Sequence, residues 1–286
     1  MKKIIVFGAK GMLGSELVKT FSADDQYQVF KLDKEELDIT KKRDVFGFIE
    51  KEQPEIMINA IAFNDVDGAE NKEEFEMAKR LNGEVPGMLA QAAKNCDAVF
   101  VQYVTDYLFD GKKGEYTEDE KPNPISNYGF SKALGEKNVQ EIGGKYYLVR
   151  ISKLFGKSGT SPNAKKSFFS TMLDLSQDRD ELKIVDDERS CFTYVPDLVA
   201  ATKDLVEKKY EYGIYHLVNK GAVTWFEGAR KLFELVNNKK IKIIPVSQDE
   251  FPRPAKRARS TVLLNTKFPQ FRHYEEALKE WLETVK

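Results

Sequence analysis

Short apolar runs alternate with amphipathic stretches through the first half of the chain. Positions 3–7, Lys-Ile-Ile-Val-Phe, are almost continuously apolar, the mark of a strand covered on both faces. Similar runs predict strands at 27–32, 56–60, 99–104 and 146–151, with the turn signal Gln53-Pro54 before the third. Between them, helical spacing covers about 15–22, 41–50, 72–93 and 128–141. Strands alternating with helices predict an α/β protein with a doubly wound parallel sheet. The alternation fades after residue 155. There the pattern predicts a polar loop at 156–164, a helix at 165–177, a strand at 182–185, a helix at 197–207 opened by Pro196, a helix at 225–236, a strand at 241–246 and an amphipathic helix at 274–285. Pro252 and Pro254 mark an extended stretch. We read residues 1–155 as one domain, completed by the helix at about 196–208, and 156–286 mainly as a smaller C-terminal α/β lobe.

Composition narrows the functional classes. Lys and Arg number 45 against 46 Asp and Glu, a net charge of −1, so no one-signed field is available for a nucleic acid polymer or an anionic membrane. No run is long enough to span a bilayer, and the five-residue strand after Met1-Lys2-Lys3 is too short for a signal-peptide core. The expected setting is cytoplasmic. Cys96 and Cys191 are too few for a disulfide framework or thiolate metal site and read as buried thiols. His216 and His273 lack neighbouring ligands, so no metal is expected.

Candidate chemistry begins directly after the first strand. In Gly8-Ala9-Lys10-Gly11-Met12-Leu13-Gly14, Gly8 allows a tight turn, Gly11 lets backbone approach a pyrophosphate, and Gly14 lets a helix pack closely on the strand. The pyrophosphate would sit at the helix N-terminus, where free N–H groups favour an anion. Asp33 ends the second strand about 20 residues beyond, where a carboxylate accepts hydrogen bonds from an adenosine ribose. That position favours NADH over NADPH, although Lys10 and Lys34 are near enough in sequence to receive a 2′-phosphate. Tyr128 and Lys132 lie four residues apart, on one face of their helix. The ammonium is expected to lower the phenol's pKa toward neutrality, as a general acid acting on a carbonyl oxygen requires. The short basic run Lys256-Arg257-Ala258-Arg259 is either a solvated face or a diphosphate contact.

With these motifs in place, the chain resembles the extended short-chain dehydrogenase/reductases, most closely the dTDP-4-dehydrorhamnose reductase family of nucleotide-sugar 4-ketoreductases. The likeness is carried by Leu37-Asp38-Ile39-Thr40, Asn59-Ala60-Ile61-Ala62-Phe63, Val66-Asp67, Ala69-Glu70, Asn82, Pro86, Thr105-Asp106-Tyr107-Leu108-Phe109-Asp110-Gly111, Tyr116-Thr117-Glu118, Tyr128-Gly129, Ser131-Lys132, Gly135-Glu136, Gly213-Ile214-Tyr215-His216 and Thr224-Trp225-Phe226. It implies a Rossmann-type fold and hydride transfer from NADH or NADPH to C4 of a 4-keto sugar. Tyr128 would protonate the oxygen, Thr105 would donate to it, and Lys132 would bind the nicotinamide ribose. It further implies that Gly11, Met12 and Leu13 contact the pyrophosphate, that Asp38 and Ile39 flank the adenine, and that Ala62, Phe63 and Asn64 line the cofactor strand end. By the same resemblance, Thr105, Asp106, Tyr128 and Lys153 would face the substrate. The implied partner is a nucleotide sugar, with a homodimer left open.

The departures from the family pattern gather on the substrate side. Arg150-Ile151-Ser152-Lys153 stands where the family has Arg-Thr-Ser-Trp, so an ammonium replaces an indole that packs on the sugar; it is expected to pair with an anion or to point to solvent. Asp187-Glu188-Arg189-Ser190-Cys191-Phe192-Thr193 and Arg257-Ala258-Arg259-Ser260 also differ, and Val104 replaces a serine. A different 4-keto sugar is therefore open. Tyr107 after Asp106 disfavours a dehydratase, which has an acid pair there. A nucleotide-sugar epimerase and a non-catalytic regulatory subunit of the same fold also stay open.

Overall fold

The computed structural model describes residues 1–161 and 164–285. In chain order the elements are β1 (Lys2–Phe7), α1 (Met12–Ser22), β2 (Tyr27–Leu32), α2 (Lys42–Glu52), β3 (Ile56–Asn59), α3 (Lys72–Ala78), a π turn (Lys79–Glu84), α4 (Val85–Asn95), β4 (Val99–Thr105), β5 (Gly114–Tyr116), α5 (Asn127–Ile142) and β6 (Tyr146–Ile151). There follow β7 (Leu154–Phe155), α6 (Phe168–Asp178), β8 (Glu181–Val185), β9 (Arg189–Ser190), β10 (Thr193–Tyr194), α7 (Val195–Glu207), β11 (Gly213–His216), β12 (Val223–Thr224), α8 (Trp225–Leu235), β13 (Lys242–Val246), β14 (Thr261–Leu263) and α9 (Tyr274–Thr284).

The central sheet is parallel throughout, in the order β11-β6-β4-β3-β1-β2. Its doubly wound construction follows from the alternation of side chains along β1. Ile5 and Phe7 point into a core shared with Val45 and Ile49 of α2 and Leu89 of α4. Ile4 and Val6 point the other way, onto Leu17 and Phe21 of α1 and Leu198 of α7. Because both faces are covered, all four β1 residues are buried, which explains the unbroken apolar run. The order in which strands are added reverses at β1, with β2 on one side of it and β3 on the other. In such sheets ligands bind beyond the carboxyl ends of the strands at that switch point.

Two features depart from the sequence reading. The helix expected over 72–93 is broken by the π turn. Pro86 has no N–H to give the Asn82 carbonyl four residues earlier, which loosens the helical ladder there. Residue 155 is also not the end of the sheet, since β11 returns to extend it beside β6; α7, counted with the first domain in the sequence reading, covers its face. Much of the remainder gathers around an aromatic core of Phe155, Phe169, Phe192, Tyr194, Tyr274 and Trp281, with β8 paired to β13 against α6 and α8, while β14 pairs with β5 and joins the core under the sheet. Of the loop expected at 156–164, residues 162–163 lie outside the described residues.

Candidate active site

A cleft of about 870 Å³ opens over the carboxyl ends of β1, β3 and β4 and runs toward the lobe. Gly8 opens the glycine turn with φ +78°, a left-handed conformation that favours glycine. A Cβ on Gly14 would lie 1.9 Å from the Gly8 carbonyl oxygen, so α1 can approach the turn this closely only with glycine there. No side chain caps α1, and no acid occupies its first turn. Its N-terminal N–H groups, beside Gly11, Met12 and Leu13, are thus suited to an anion, and these three residues line the cleft with Gly8. This cradle fits a dinucleotide pyrophosphate.

Asp33 lines the same end. Its carboxylate accepts from the backbone N–H of Lys10 at 3.1 Å and of Lys34 at 3.0 Å. The Lys10 ammonium is turned to Glu35 at 2.8 Å and Glu36 at 3.4 Å. Asp38 accepts from the hydroxyl and N–H of Thr40, at 2.7 and 3.0 Å, and Ile39 is buried in the core under the sheet. Neither lines the cleft. The family resemblance places both beside the adenine; here the Asp38 side chain folds back on Thr40, and that of Ile39 enters the core.

Ala62, Phe63 and Asn64 line the cleft on the loop after β3. Asn82, in the π turn, fixes that loop: its Oδ1 accepts from Phe63 N–H at 2.9 Å, and its Nδ2 donates to Phe63 C=O and to the Ser131 hydroxyl, both at 3.0 Å. Ser131 lies between Tyr128 and Lys132, so one amide ties the loop to the reactive helix.

Helix α5 starts from Ser126, whose hydroxyl accepts from Gly129 N–H at 3.2 Å. Gly129 permits close approach to the preceding loop, since a Cβ there would be 2.3 Å from the Tyr107 carbonyl oxygen. Tyr128 and Lys132 are buried on one face and reach the cleft with Thr105, the last residue of β4. The Thr105 hydroxyl donates to Asp106 Oδ1 at 3.3 Å and lies close enough to the Tyr128 phenol to affect its proton affinity. Burial raises the Tyr128 pKa well above that of a free phenol, with Tyr107 and Asp106 adding to the rise and the Thr105 hydroxyl opposing it. Burial alone pushes Lys132 down to about 8. The expected cation-driven lowering of the phenol is therefore absent, because both groups are desolvated. Tyr128 stands as a neutral phenol, the form that donates a proton.

Asp106 follows Thr105 into the interior, where its carboxylate accepts from Ser152 at 2.8 Å and Thr261 at 2.7 Å. Burial raises its pKa, against the pull of these hydroxyls. Neither hydroxyl announced itself in the sequence, since each meets Asp106 only through tertiary packing.

Lys153 adopts φ +37° and lines the cleft from the lobe side. Its ammonium lies 4.0 Å from the centre of the Trp225 ring and 5.1 Å from that of Phe192, and donates to the Glu188 and Val223 carbonyls at 3.4 and 3.3 Å. Among the described residues it has no carboxylate partner; it is half-buried with its ammonium over the Trp225 ring, in place of the expected ion pair or solvent exposure. Burial lowers its pKa to about 8, with Asp106 and Glu188 opposing the fall. Trp225 is held by Nε1 donating to Glu188 at 3.0 Å, and Glu188 also pairs with Arg253. From the basic run, Lys256, Arg257 and Ala258 line the cleft; Arg257 grips Asp67 through two bonds of 2.8 and 2.7 Å, while Arg259 turns to Asp187 at 3.0 Å. Among the described residues no group of three or more His, Cys, Asp or Glu could hold a metal ion, and no helix is long and apolar enough to cross a membrane.

A glycine turn at the switch point of a doubly wound sheet, facing a Thr/Tyr/Lys trio at the next strand end, defines the extended short-chain dehydrogenase/reductases, a class of NAD(P)-dependent oxidoreductases. Comparison with known proteins narrows this to one family. The chain belongs to the family described as RmlD substrate binding domain, whose model matches residues 1–286. A dTDP-4-dehydrorhamnose reductase of Aggregatibacter actinomycetemcomitans is 35% identical, over 94% of this chain and 93% of that protein. The crystal structure of a dTDP-4-dehydrorhamnose reductase from Clostridium acetobutylicum matches with a TM-score of 0.92 at 35% identity, covering 99% of each chain. One from Bacillus anthracis, in complex with NADP, matches with a TM-score of 0.92 at 34% identity, over 99% of this chain and 100% of that one.

Proposed function

We propose that this protein uses NADH or NADPH to reduce the C4 ketone of a nucleotide-activated deoxysugar, converting dTDP-4-dehydrorhamnose to dTDP-rhamnose for polysaccharide precursors. The observation that carries this reading is the meeting of Thr105, Tyr128 and Lys132 at the strand end next to the glycine turn. When bound, the cofactor supplies the hydride for C4. Tyr128 gives its phenolic proton to the carbonyl oxygen, and Thr105 donates to the same oxygen as alkoxide charge develops. Lys132 holds its ammonium at the cofactor side. Gly8 to Leu13 receive the pyrophosphate, and Asp33 receives the adenosine ribose. The tethering of Lys10 to Glu35 and Glu36 supports NADH as the preferred cofactor, since that ammonium is already engaged. The lobe, with Asp106 and Lys153, takes the sugar nucleotide, and the setting is cytoplasmic, a reading supported by two unpaired cysteines.

The test follows oxidation of NADH and NADPH at 340 nm with dTDP-4-dehydrorhamnose generated in situ, beside Tyr128→Phe. Turnover in the parent and its loss in the variant are expected. Full turnover by Tyr128→Phe would refute the assignment of the proton donor, and tightly retained NAD without net oxidation would favour an epimerase.

A further inference from the structure

Helix α5 carries a third ionisable side chain on the face of Tyr128 and Lys132. Glu136 lies four residues beyond Lys132 and is equally buried. Side chains on a helix lean toward its N-terminus, so a carboxylate at 136 lies over the turn that bears Lys132, where an ion pair would ordinarily form. None is present. Besides Tyr128 and Glu136 of its own helix, the charged and titratable groups on the elements packed against α5 are Glu70, Lys72, Glu73, Glu74, Glu76, Lys79, Arg80, Glu84, Lys94, Tyr103, Asp106 and Tyr107, with Arg150 of β6 reaching Glu136; among the described residues none of them pairs with Lys132, and burial is what lowers its proton affinity.

Glu136 is engaged elsewhere. Arg150, on β6, donates to one of its oxygens from Nε at 2.9 Å and to the other from Nη2 at 2.5 Å. The guanidinium is itself fixed. Its Nη1 donates to the carbonyls of Glu118 and Glu120 at 3.3 and 3.2 Å, and it lies 5.3 Å from the Phe109 ring centre. His216 adds a further acceptor. Burial keeps that imidazole neutral, with a pKa near 4, and its Nδ1 faces the Leu264 carbonyl at 3.1 Å, so Nδ1 carries the proton and Nε2 accepts from Arg150 at 3.3 Å. His216 comes from β11, the edge strand that returns from the second half of the chain.

We propose that Arg150 is a positioning residue: by taking both oxygens of Glu136 it withholds that carboxylate from Lys132 and leaves the ammonium unpaired for the cofactor. The inference rests on Lys132 belonging to the cofactor site, as proposed above. A clamp that merely joins helix to sheet would leave the titration of Lys132 unmoved by its removal, whereas a withheld carboxylate would move it.

The experiment follows the 13Cε shift of Lys132 against pH in full-length protein labelled at lysine, with the resonance assigned by Lys132→Arg. No substrate is needed, so the result stands apart from success or failure of the reductase assay. In the parent the midpoint is expected near pH 8. In Arg150→Met, Glu136 turns to Lys132 and proton affinity rises about tenfold or more, one pH unit upward; NADH binding, measured by fluorescence, weakens. Arg150→Lys, with a single point of contact, gives a smaller shift. Arg150→Met combined with Glu136→Met removes both charges and returns the midpoint to the parent value. A folded Arg150→Met with an unmoved midpoint overturns the proposal. If Arg150→Met does not fold, Arg150→Lys decides: its smaller upward shift is still expected, and an unmoved midpoint there overturns the proposal. A double-variant midpoint about tenfold lower in affinity than the parent shows that Glu136 already acts on Lys132, and also overturns it.

Discussion

Gly11 and Gly14 sit three residues apart in the same turn, yet the structure gives an alanine at each a different defect. At Gly14 the new Cβ falls 1.9 Å from the Gly8 carbonyl oxygen and 2.7 Å from its carbon. Relief to an ordinary contact of roughly 3.4 Å or more means α1 retreating by about 1.5 Å, an overpacking cost of about 1–3 kcal/mol. At roughly 2–4 °C per kcal/mol, melting falls by several degrees. The same retreat carries the helix N–H groups away from the pyrophosphate, and each charge-assisted hydrogen bond lost is worth about 1.5–3 kcal/mol, or about tenfold to a hundredfold in affinity. At Gly11 the nearest protein atom to a Cβ is 3.3 Å away, and φ −72°, ψ 168° suits any residue. Gly11→Ala therefore leaves the melting temperature within about 2 °C while weakening NADH binding, because its methyl occupies the ligand's side of the turn. Differential scanning fluorimetry and cofactor fluorescence titration read the two quantities separately. Gly14→Ala with the parent's stability, or Gly11→Ala that loses stability but binds NADH normally, would refute the reasoning.

Tyr128→Phe should lower turnover by about a hundredfold to ten-thousandfold with NADH affinity kept, whereas Thr105→Val, which removes one donor, should cost about a hundredfold to a thousandfold in kcat; steady-state kinetics and fluorescence titration check both. Lys153 has a folded-state pKa below its unfolded one, so the unfolded chain binds more protons between about pH 8 and 10.5 and the buried charge weighs against folding most below pH 8. Stability of Lys153→Met relative to the parent should thus be greatest at pH 7 and decline as pH rises through 8 toward 10.5, as urea melts across that range would show. NADH should show a lower KM than NADPH, and Glu35→Gln with Glu36→Gln, by freeing Lys10 for a 2′-phosphate, should narrow the gap; a parent that prefers NADPH would end the assignment of Asp33.

The sheet was legible wherever burial on both faces left an uninterrupted apolar run, as in β1, and the cofactor turn wherever glycine spacing met a strand end. The edge strand β11 was not, since Gly213-Ile214-Tyr215-His216 is short and polar at its end, and only the tertiary partners of His216 account for its burial. Nor was the break at Lys79–Glu84, although Pro86 supplied the cause four residues after Asn82. Spacing placed Tyr128 and Lys132 on one face but carried no information on desolvation, which reverses the expected direction for the phenol. The directions of the Asp38 and Ile39 side chains were not legible either, since hydrogen bonding to Thr40 and packing in the core decide them. The packing of Lys153 against Trp225 and Phe192 joins three elements far apart in sequence, and no periodicity encodes it.

The measurement that bears most directly on the proposed reaction is deuterium transfer from [4,4-2H2]NADH, labelled at both nicotinamide C4 positions, to dTDP-4-dehydrorhamnose, read by NMR of the product. One deuterium at sugar C4, with the hydroxyl proton from solvent-exchangeable sites, is the expected result. Deuterium elsewhere in the sugar, or none while the sugar is still converted, would contradict direct hydride delivery to the C4 ketone.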